Sequence, residues 1–386
     1  MDQFNSPVIE TNNLRMQIKH RATVYGPTAD TPNVALTYPR ILRIQSDPQH
    51  KGVLLSTAES LHVNAYLIHR SDDDGRTWRQ VGEVVSHNPD RIANWQPMLY
   101  ELPAPVGALP KGTLLLAGCI RNRPTSETAM CIYQSSDLGE SWSYLSTVAE
   151  GAGFSQTGGL SKGLWEPFLY WEDGILWCFY SDELDAERHS QMLVCRYSTD
   201  GVNWSETRRI IACENPHLRP GMITVTKMGN GRYALCYEMV GIHSNPVYCK
   251  MTSDLMDWGD PAEIGKIVTD ASGKGVGSTP YCCWIAAGGP AGTLIVTGKN
   301  PSGTGSSTTG TDWLISSDYG QSFVAVDNPL PYTPTPAFRY AYSPGLFAAE
   351  DGKTLYYVNN INSEEVPAKA KVELAVIEIS DSSTKE

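Results

Sequence analysis

The strongest constraint on what this chain can fold into is a turn that it writes five times. The turn reads Ser71-Asp72-Asp73-Asp74-Gly75-Arg76-Thr77-Trp78 and returns as Ser135-Ser136-Asp137-Leu138-Gly139-Glu140-Ser141-Trp142. A shortened copy runs from Ser198 to Trp204, a degenerate copy from Thr252 to Trp258, and a last copy from Ser316 to Phe323. The shared aspartates, Asp73, Asp137, Asp200, Asp254 and Asp318, are spaced by 64, 63, 54 and 64 residues. Such a period in a chain of 386 residues predicts about six units of one repeat architecture. The turn has readable physics. Its Asp accepts hydrogen bonds from turn amides, its Gly permits positive φ, and its aromatic ring packs between sheets.

Short apolar strands can be aligned around each turn. First strands begin near Tyr38-Pro39-Arg40-Ile41, Trp95-Gln96-Pro97-Met98, Trp165-Glu166-Pro167-Phe168, Arg219-Pro220-Gly221-Met222, Thr279-Pro280-Tyr281-Cys282 and Tyr342-Ser343-Pro344-Gly345. Second strands follow a glycine: Gly52 to Glu59, Gly112 to Arg121, Gly174 to Asp182, Gly231 to Glu238, Gly292 to Lys299 and Gly352 to Asn360. The sixth unit lacks the turn. Ala368 to Ile379 supplies its third strand, and Ala22 to Tyr25, near the N-terminus, its fourth. The pattern predicts an all-β, six-bladed β-propeller. Joining the two terminal strands in one blade closes the ring and hides its edges. The reading takes 1–386 as one domain, with 1–20 as a wrapping arm and 381–386 as a loose tail. The turn itself resembles the Asp-box of sialidase-like proteins, where it links the outer two strands of a blade. It is a structural device, not a carrier of catalytic groups.

Charge narrows the partners. Thirty Lys+Arg against 42 Asp+Glu give a net charge of −12, which repels phosphate backbones and anionic lipid heads. Nucleic acid and membrane surfaces are therefore excluded as partners, and a neutral substrate fits. The run from Gly112 to Ile120 is among the longest apolar ones and falls far short of the ~20 residues that cross a bilayer. Met1 to Asn5 has neither the basic nor the apolar region of a secretory leader. Nine cysteines are an odd number, so at least one is unpaired, and no CxxC pair suggests zinc. Buried small hydrophobes are the expectation, with a disulfide or two left open. The chemistry calls for no cofactor and no metal.

In a propeller the inner strands surround the axis, and loops from every blade converge at one face. First-strand starts place Arg40, Gln96, Glu166, Arg219, Tyr281 and Tyr342 near one ring. Second-strand ends place Glu59, Arg121, Asp182, Glu238, Lys299 and Asn360 close by. Carboxylates among aromatic residues suit a sugar-binding pit, because ring faces stack on sugar C–H surfaces and carboxyls perform glycosidic acid/base work. Glu166, in Leu164-Trp165-Glu166-Pro167-Phe168, and Glu238, in Tyr237-Glu238-Met239, lie in neighbouring blades and can face one pocket. Apolar surroundings of this kind raise a carboxyl pKa and fit it for proton donation.

Two families share this frame. Arg40 resembles the first arginine of the sialidase triad that grips the sialate carboxylate. The later triad pattern fails, since no arginine lies between Glu238 and Arg339. The better resemblance is to glycoside hydrolase family 93, the exo-1,5-α-L-arabinanases. Leu164-Trp165-Glu166-Pro167-Phe168 and Tyr237-Glu238-Met239 are similar to that family's two catalytic-glutamate motifs, and the likeness spans all six blades. The resemblance implies a secreted, monomeric, retaining hydrolase that takes linear arabinan or arabino-oligosaccharides and releases arabinobiose from the non-reducing end. It implies Glu238 as nucleophile and Glu166 as acid/base. Arg40, Trp95, Gln96, Trp165, Arg219, Tyr342 and Asn360 become substrate contacts, and Asp182 a third carboxylate that orients a hydroxyl or tunes a pKa. The loop from Gly151 to Lys162 or the run from Gly303 to Thr311 would wall one end of the pit. The alternatives are a sialidase, another neutral-glycan hydrolase, or a propeller that binds carbohydrate or protein without catalysis.

Overall fold

Each of the five turns joins the outer two strands of a four-stranded antiparallel sheet, and these five sheets stand around one axis with a sixth, five-stranded one. The computed structural model describes residues 8–11, 13–28, 36–60, 62–153, 161–302, 312–332, 340–366 and 369–382, and every regular element among them is a strand. The innermost strands of blades one to six are Leu36–Arg43, Arg91–Glu101, Leu164–Glu172, Arg219–Lys227, Tyr281–Ile285 and Gly345–Ala348. The second strands are Leu54–Ser60, Leu114–Asn122, Ile175–Asp182, Tyr233–Val240, Thr293–Thr297 and Thr354–Asn362. A short extra pair, Gly275–Gly277 with Asn300–Ser302, stands between blades four and five.

The turns bond as their sequence requires. Asp73 Oδ1 accepts the Thr77 amide at 2.9 Å, and its Oδ2 accepts the Thr77 hydroxyl at 2.7 Å. The Trp78 indole N–H donates to the Gly75 carbonyl at 3.0 Å. Asp137, Ser141, Gly139 and Trp142 repeat the arrangement in blade two. Gly75 has φ +84°, and a Cβ there would meet Leu374 Cδ2 at 2.3 Å, so both conformation and space demand glycine. Between blades the packing is interdigitated. Tyr66 of blade one is fully buried, and its hydroxyl donates to the Trp95 carbonyl at 2.8 Å. Gly118 of blade two leaves room for that phenol.

Blade six closes the ring as the sequence predicts. Ala370–Asp381 pairs with Leu14–Tyr25 in a register running from Leu14 against Asp381 to Tyr25 against Val372. The expectation of an arm over 1–20 is corrected here. Leu14 to His20 belong to the closing strand, and Val8–Glu10 adds a fifth strand outside it. The cause is alternation: Leu14, Met16 and Ile18 are buried while Arg15 and Lys19 point outward, which is a half-buried strand and not a loose wrap. The boundary expected at 381 is also corrected, since Asp381 still pairs with Leu14. All nine cysteines are free thiols and only Cys283 is not buried, so the disulfides considered above are not formed. No helix among the described residues is long and apolar enough to cross a membrane.

Candidate active site

At one mouth of the axis the inner strands all start with a kink. Tyr38, Gln96, Glu166, Met222, Thr279 and Ser343 have φ between 48° and 63°. Five of these six precede a proline. A non-glycine residue in the left-handed region is uncommon and costs energy that the surrounding structure must hold. In blades one to four the register slips at this point, for example between Trp165 and Phe168. The bulge interrupts the strand's alternation and frees one side chain per blade from the sheet.

These freed residues meet. The Glu166 carboxyl is held on both oxygens. Its Oε2 accepts the Ser181 hydroxyl at 2.8 Å and the Met222 amide at 2.8 Å. Its Oε1 accepts the Tyr38 hydroxyl at 3.2 Å. The Glu166 amide in turn donates to Gln96 Oε1 at 3.0 Å, and the Gln96 amide donates to Glu59 Oε2 at 3.0 Å. Glu238, only 6% exposed, accepts the Ser278 hydroxyl and the Thr279 amide on Oε2, each at 2.7 Å. Its Oε1 faces the other carboxyl across Gly221. A Cβ on Gly221 would lie 3.5 Å from Glu238 Oε1 and 3.7 Å from Glu166 Oε2. The two carboxyls therefore approach to within a few ångströms of one point. Burial, and next the charge of Glu238, push the Glu166 carboxyl above its usual range.

Aromatic surfaces flank the pair. The Trp95 and Trp165 rings lie 5.6 Å apart, and the Arg121 guanidinium covers one face of Trp95 at 4.1 Å. Tyr342 sets its ring against Tyr38 at 5.3 Å, with Lys299 5.5 Å above it. Arg219, half exposed at the rim, pairs with Glu183 at 3.0 Å.

Three of the residues singled out from sequence are taken up by the protein's own groups. Arg40 is buried, and donates to the carbonyls of Pro39 and Ser343 at 2.9 and 2.8 Å and to Ser343 Oγ at 2.8 Å. It is a clamp between blades one and six, and its fork is not offered to a ligand carboxylate. Asn360 is a second such strut: it accepts the Tyr342 amide at 2.7 Å and donates to the Leu36 carbonyl at 3.0 Å. Asp182 accepts the Leu184 amide at 2.7 Å. Its strand neighbour Ser181 faces Glu166, so alternation sends Asp182 to the other side, where burial pushes its carboxyl up. Gln96 lies in the pit but is engaged by Glu166 and Tyr38. The residues that sequence reasoning passed over are Tyr38, Ser181, Gly221, Ser278 and Thr279. One signal could have found Tyr38. It stands before Pro39 as Gln96 stands before Pro97 and Glu166 before Pro167, whereas Arg40 stands after. Of the two loops considered as a wall, 154–160 and 303–311 lie outside the described residues. Among the described residues no group of three or more His, Cys, Asp or Glu is arranged to hold a metal ion.

Two apposed carboxyls at one mouth of a six-bladed propeller with sialidase-like turns, with tryptophans on the same strand starts, are the site of a propeller glycoside hydrolase. Solved structures make the likeness specific. The chain is similar to an α-L-arabinanase from Penicillium chrysogenum, solved with arabinobiose. The identity is 28% and the TM-score 0.77, over 94% of this chain and 98% of that one. It is equally similar to the α-L-arabinofuranosidase of glycoside hydrolase family 93 from Fusarium graminearum, also solved with arabinobiose. There the identity is 26% and the TM-score 0.77, with the same shares covered. A Hadza microbial sialidase shares the fold at 13% identity and a TM-score of 0.58, covering 91% of this chain and 67% of that one. No family model matches the chain, and no curated protein matches it. The fold and the resemblance read from the two glutamate motifs thus agree with family 93 structures along the whole propeller.

Proposed function

We propose that the protein hydrolyses linear α-1,5-L-arabinan from its non-reducing end, releasing arabinobiose with retention of configuration. The observation that carries this reading is the placement of Glu166 and Glu238 on either side of Gly221. Retaining glycosidases need their two carboxyls only ~5–5.5 Å apart, and inverting ones need room for a water between them. Oxygens 3.5 and 3.7 Å from one point can stand as close as the retaining arrangement asks, and that is the arrangement we adopt. The likeness to structures that hold arabinobiose supports the substrate class.

The surroundings divide the labour. Glu238 bonds through one oxygen to two donors, which fixes its carboxyl, and turns the other oxygen toward Glu166. It attacks the anomeric carbon, and the glycosidic C–O bond breaks as Glu166 passes its proton to the departing oxygen. Glu166 then takes a proton from water, the water oxygen attacks the anomeric carbon, and Glu238 leaves as a carboxylate. A carboxyl raised by burial and by a neighbouring charge suits the donor role. No step calls on a cofactor, and the reading has the enzyme act as a monomer.

The test is digestion of debranched linear 1,5-arabinan with early products resolved by chromatography. Arabinobiose as the dominant early product supports the proposal. A ladder of longer oligomers overturns the exo mode, and no product from folded protein leaves a carbohydrate-binding propeller. Azide addition to alanine variants tests the roles. Glu238→Ala should yield a glycosyl azide of inverted configuration and Glu166→Ala one of retained configuration. The opposite result exchanges the two assignments.

A further inference from the structure

Building on the proposed role of Glu166, we propose that Tyr38 is its positioning residue: the Tyr38 hydroxyl, backed by Gln96, aims the carboxyl and stabilises it as its proton leaves. Nothing in the two glutamate motifs points to this tyrosine. The geometry does.

The two oxygens of Glu166 are not equivalent. Oε2 is taken up by the Met222 amide, which only donates, and by the Ser181 hydroxyl, both at 2.8 Å. Oε1 has Tyr38 at 3.2 Å. The transferable proton therefore belongs on Oε1, the oxygen that Tyr38 touches. As that proton passes to the leaving group, charge develops on Oε1, and a phenol aimed at it becomes a stronger partner. Such an interaction is stronger in the transition state than in the ground state, which is the condition for it to raise the rate.

The phenol is in place before substrate arrives. Tyr38 is 3% exposed and sits in a left-handed bulge at φ 48°. Its amide donates to the Tyr342 carbonyl at 2.9 Å, its ring meets Tyr342 edge-on, and Gln96 Nε2 approaches its oxygen at 3.5 Å. Gln96 also grips the Glu166 amide, so one side chain sets the distance between the phenol and the carboxyl. Burial, and then the nearby Glu166, hold the phenol well above its ordinary pKa, so it stays a donor through the working pH range. The other charged or titratable groups facing Glu166 are Glu238 and Arg219 from blade four, Arg40 and Glu59 from blade one, and Cys119 from blade two. None of these is hydrogen-bonded to Oε1 as Tyr38 is.

The experiment is Tyr38→Phe, assayed across pH on arabinan and on an aryl arabinobioside with a good leaving group. Removing a donor from the carboxylate should move the basic limb of kcat/KM upward by roughly one pH unit. On arabinan kcat should fall roughly ten- to hundredfold with KM little changed. The loss should be smaller on the aryl substrate, which needs less proton donation. Fluorotyrosine in place of Tyr38 is a stronger donor of nearly the same shape and should move the limb the other way. An unmoved limb in both variants, with kcat on arabinan unchanged, overturns the inference. Glu166→Gln run beside them separates the two levels. If the basic limb survives in Glu166→Gln, the acid/base reading of Glu166 has failed. If the limb vanishes there while both Tyr38 variants are silent, only the role of Tyr38 has failed.

Discussion

Gly221→Ala separates folding from chemistry in one substitution. Gly221 lies on the innermost strand of blade four, opposite Glu238 in the ladder, and it has no left-handed φ to defend. Its added methyl would sit 3.0 Å from Gln191 Nε2, 3.5 Å from Glu238 Oε1 and 3.7 Å from Glu166 Oε2. The first contact is the tight one. Gln191 is buried, with its amide donating to the Pro220 carbonyl at 2.6 Å, and must yield by a few tenths of an ångström. Weakening that bond costs up to ~1 kcal/mol. Against it, replacing glycine in a strand restricts the unfolded chain and stabilises by ~0.4–1 kcal/mol. The two nearly cancel, so the melting temperature should stay within about 3 °C of the parent. Activity should not survive so well. The methyl takes the space onto which both carboxyls converge, and displacing either from its line of attack costs about a hundredfold. Thermal unfolding by circular dichroism and initial rates on linear arabinan measure the two effects. A folded Gly221→Ala protein with rates within twofold of the parent would refute the reasoning, because the reaction would then not occur between Glu166 and Glu238.

Three further outcomes follow from the seams of the ring. Arg40→Lys should lower the urea midpoint by the equivalent of about 1.5–3 kcal/mol, since one ammonium cannot reproduce the buried fork to Pro39 and Ser343; an unchanged midpoint would show that the clamp is dispensable. His69 stacks on Tyr25 at 4.6 Å where blades six and one meet, and burial lowers its pKa to about 4. Its folded value lies below its unfolded one, so the stability it contributes is present above about pH 6.5 and is lost as pH falls toward 4, by up to roughly 3 kcal/mol. His69→Phe should flatten that slope in a pH series of unfolding curves, and an identical slope would remove His69 as its source. Hydrogen bonds from Thr77 and Ser71 hold Asp73 down at about 2, so its turn gives stability present above about pH 4 and lost as pH falls through 2. Asp73→Asn should be less stable than the parent at pH 7 and converge with it near pH 2, as equilibrium unfolding would show.

The ring was legible because its punctuation is chemical. The Asp-Gly-aromatic turns have few structural solutions, and their spacing dictates the number of blades. The pair Glu166 and Glu238 was legible because each is a lone carboxyl in an apolar strand. What escaped the eye depends on the bulge. Position at a strand's end alone put Arg40 and Asp182 in the pit, whereas the face each residue takes depends on the local alternation. The left-handed residue at each strand start resets the alternation, so Tyr38 faces the axis and Arg40 clamps the seam. The repeated X-Pro step marks this reset in five of the blades, but proline alone says only that the preceding residue avoids the right-handed helical region. Glycine carries no side chain to notice, so the role of Gly221 becomes visible only when its neighbours are placed. The N-terminal strand was underestimated for a plainer reason: Gln17, Lys19 and His20 make it look polar, and its buried face is a single file of Leu14, Met16 and Ile18.

That strand sets the order in which the molecule can be made. Leu14–Tyr25 leaves the ribosome long before its partner, Ala370–Asp381. The pairing joins segments more than 340 residues apart, and pairing of this kind forms slowly because the loop it closes is so long. Five blades can assemble while that strand waits, with one unsatisfied backbone edge on it and, once Ala370–Asp381 has joined blade six, another there. During that interval a second nascent chain can supply the missing strand as well as the molecule itself can, so yield in expression should depend on chain concentration and temperature more than on the stability of the finished propeller.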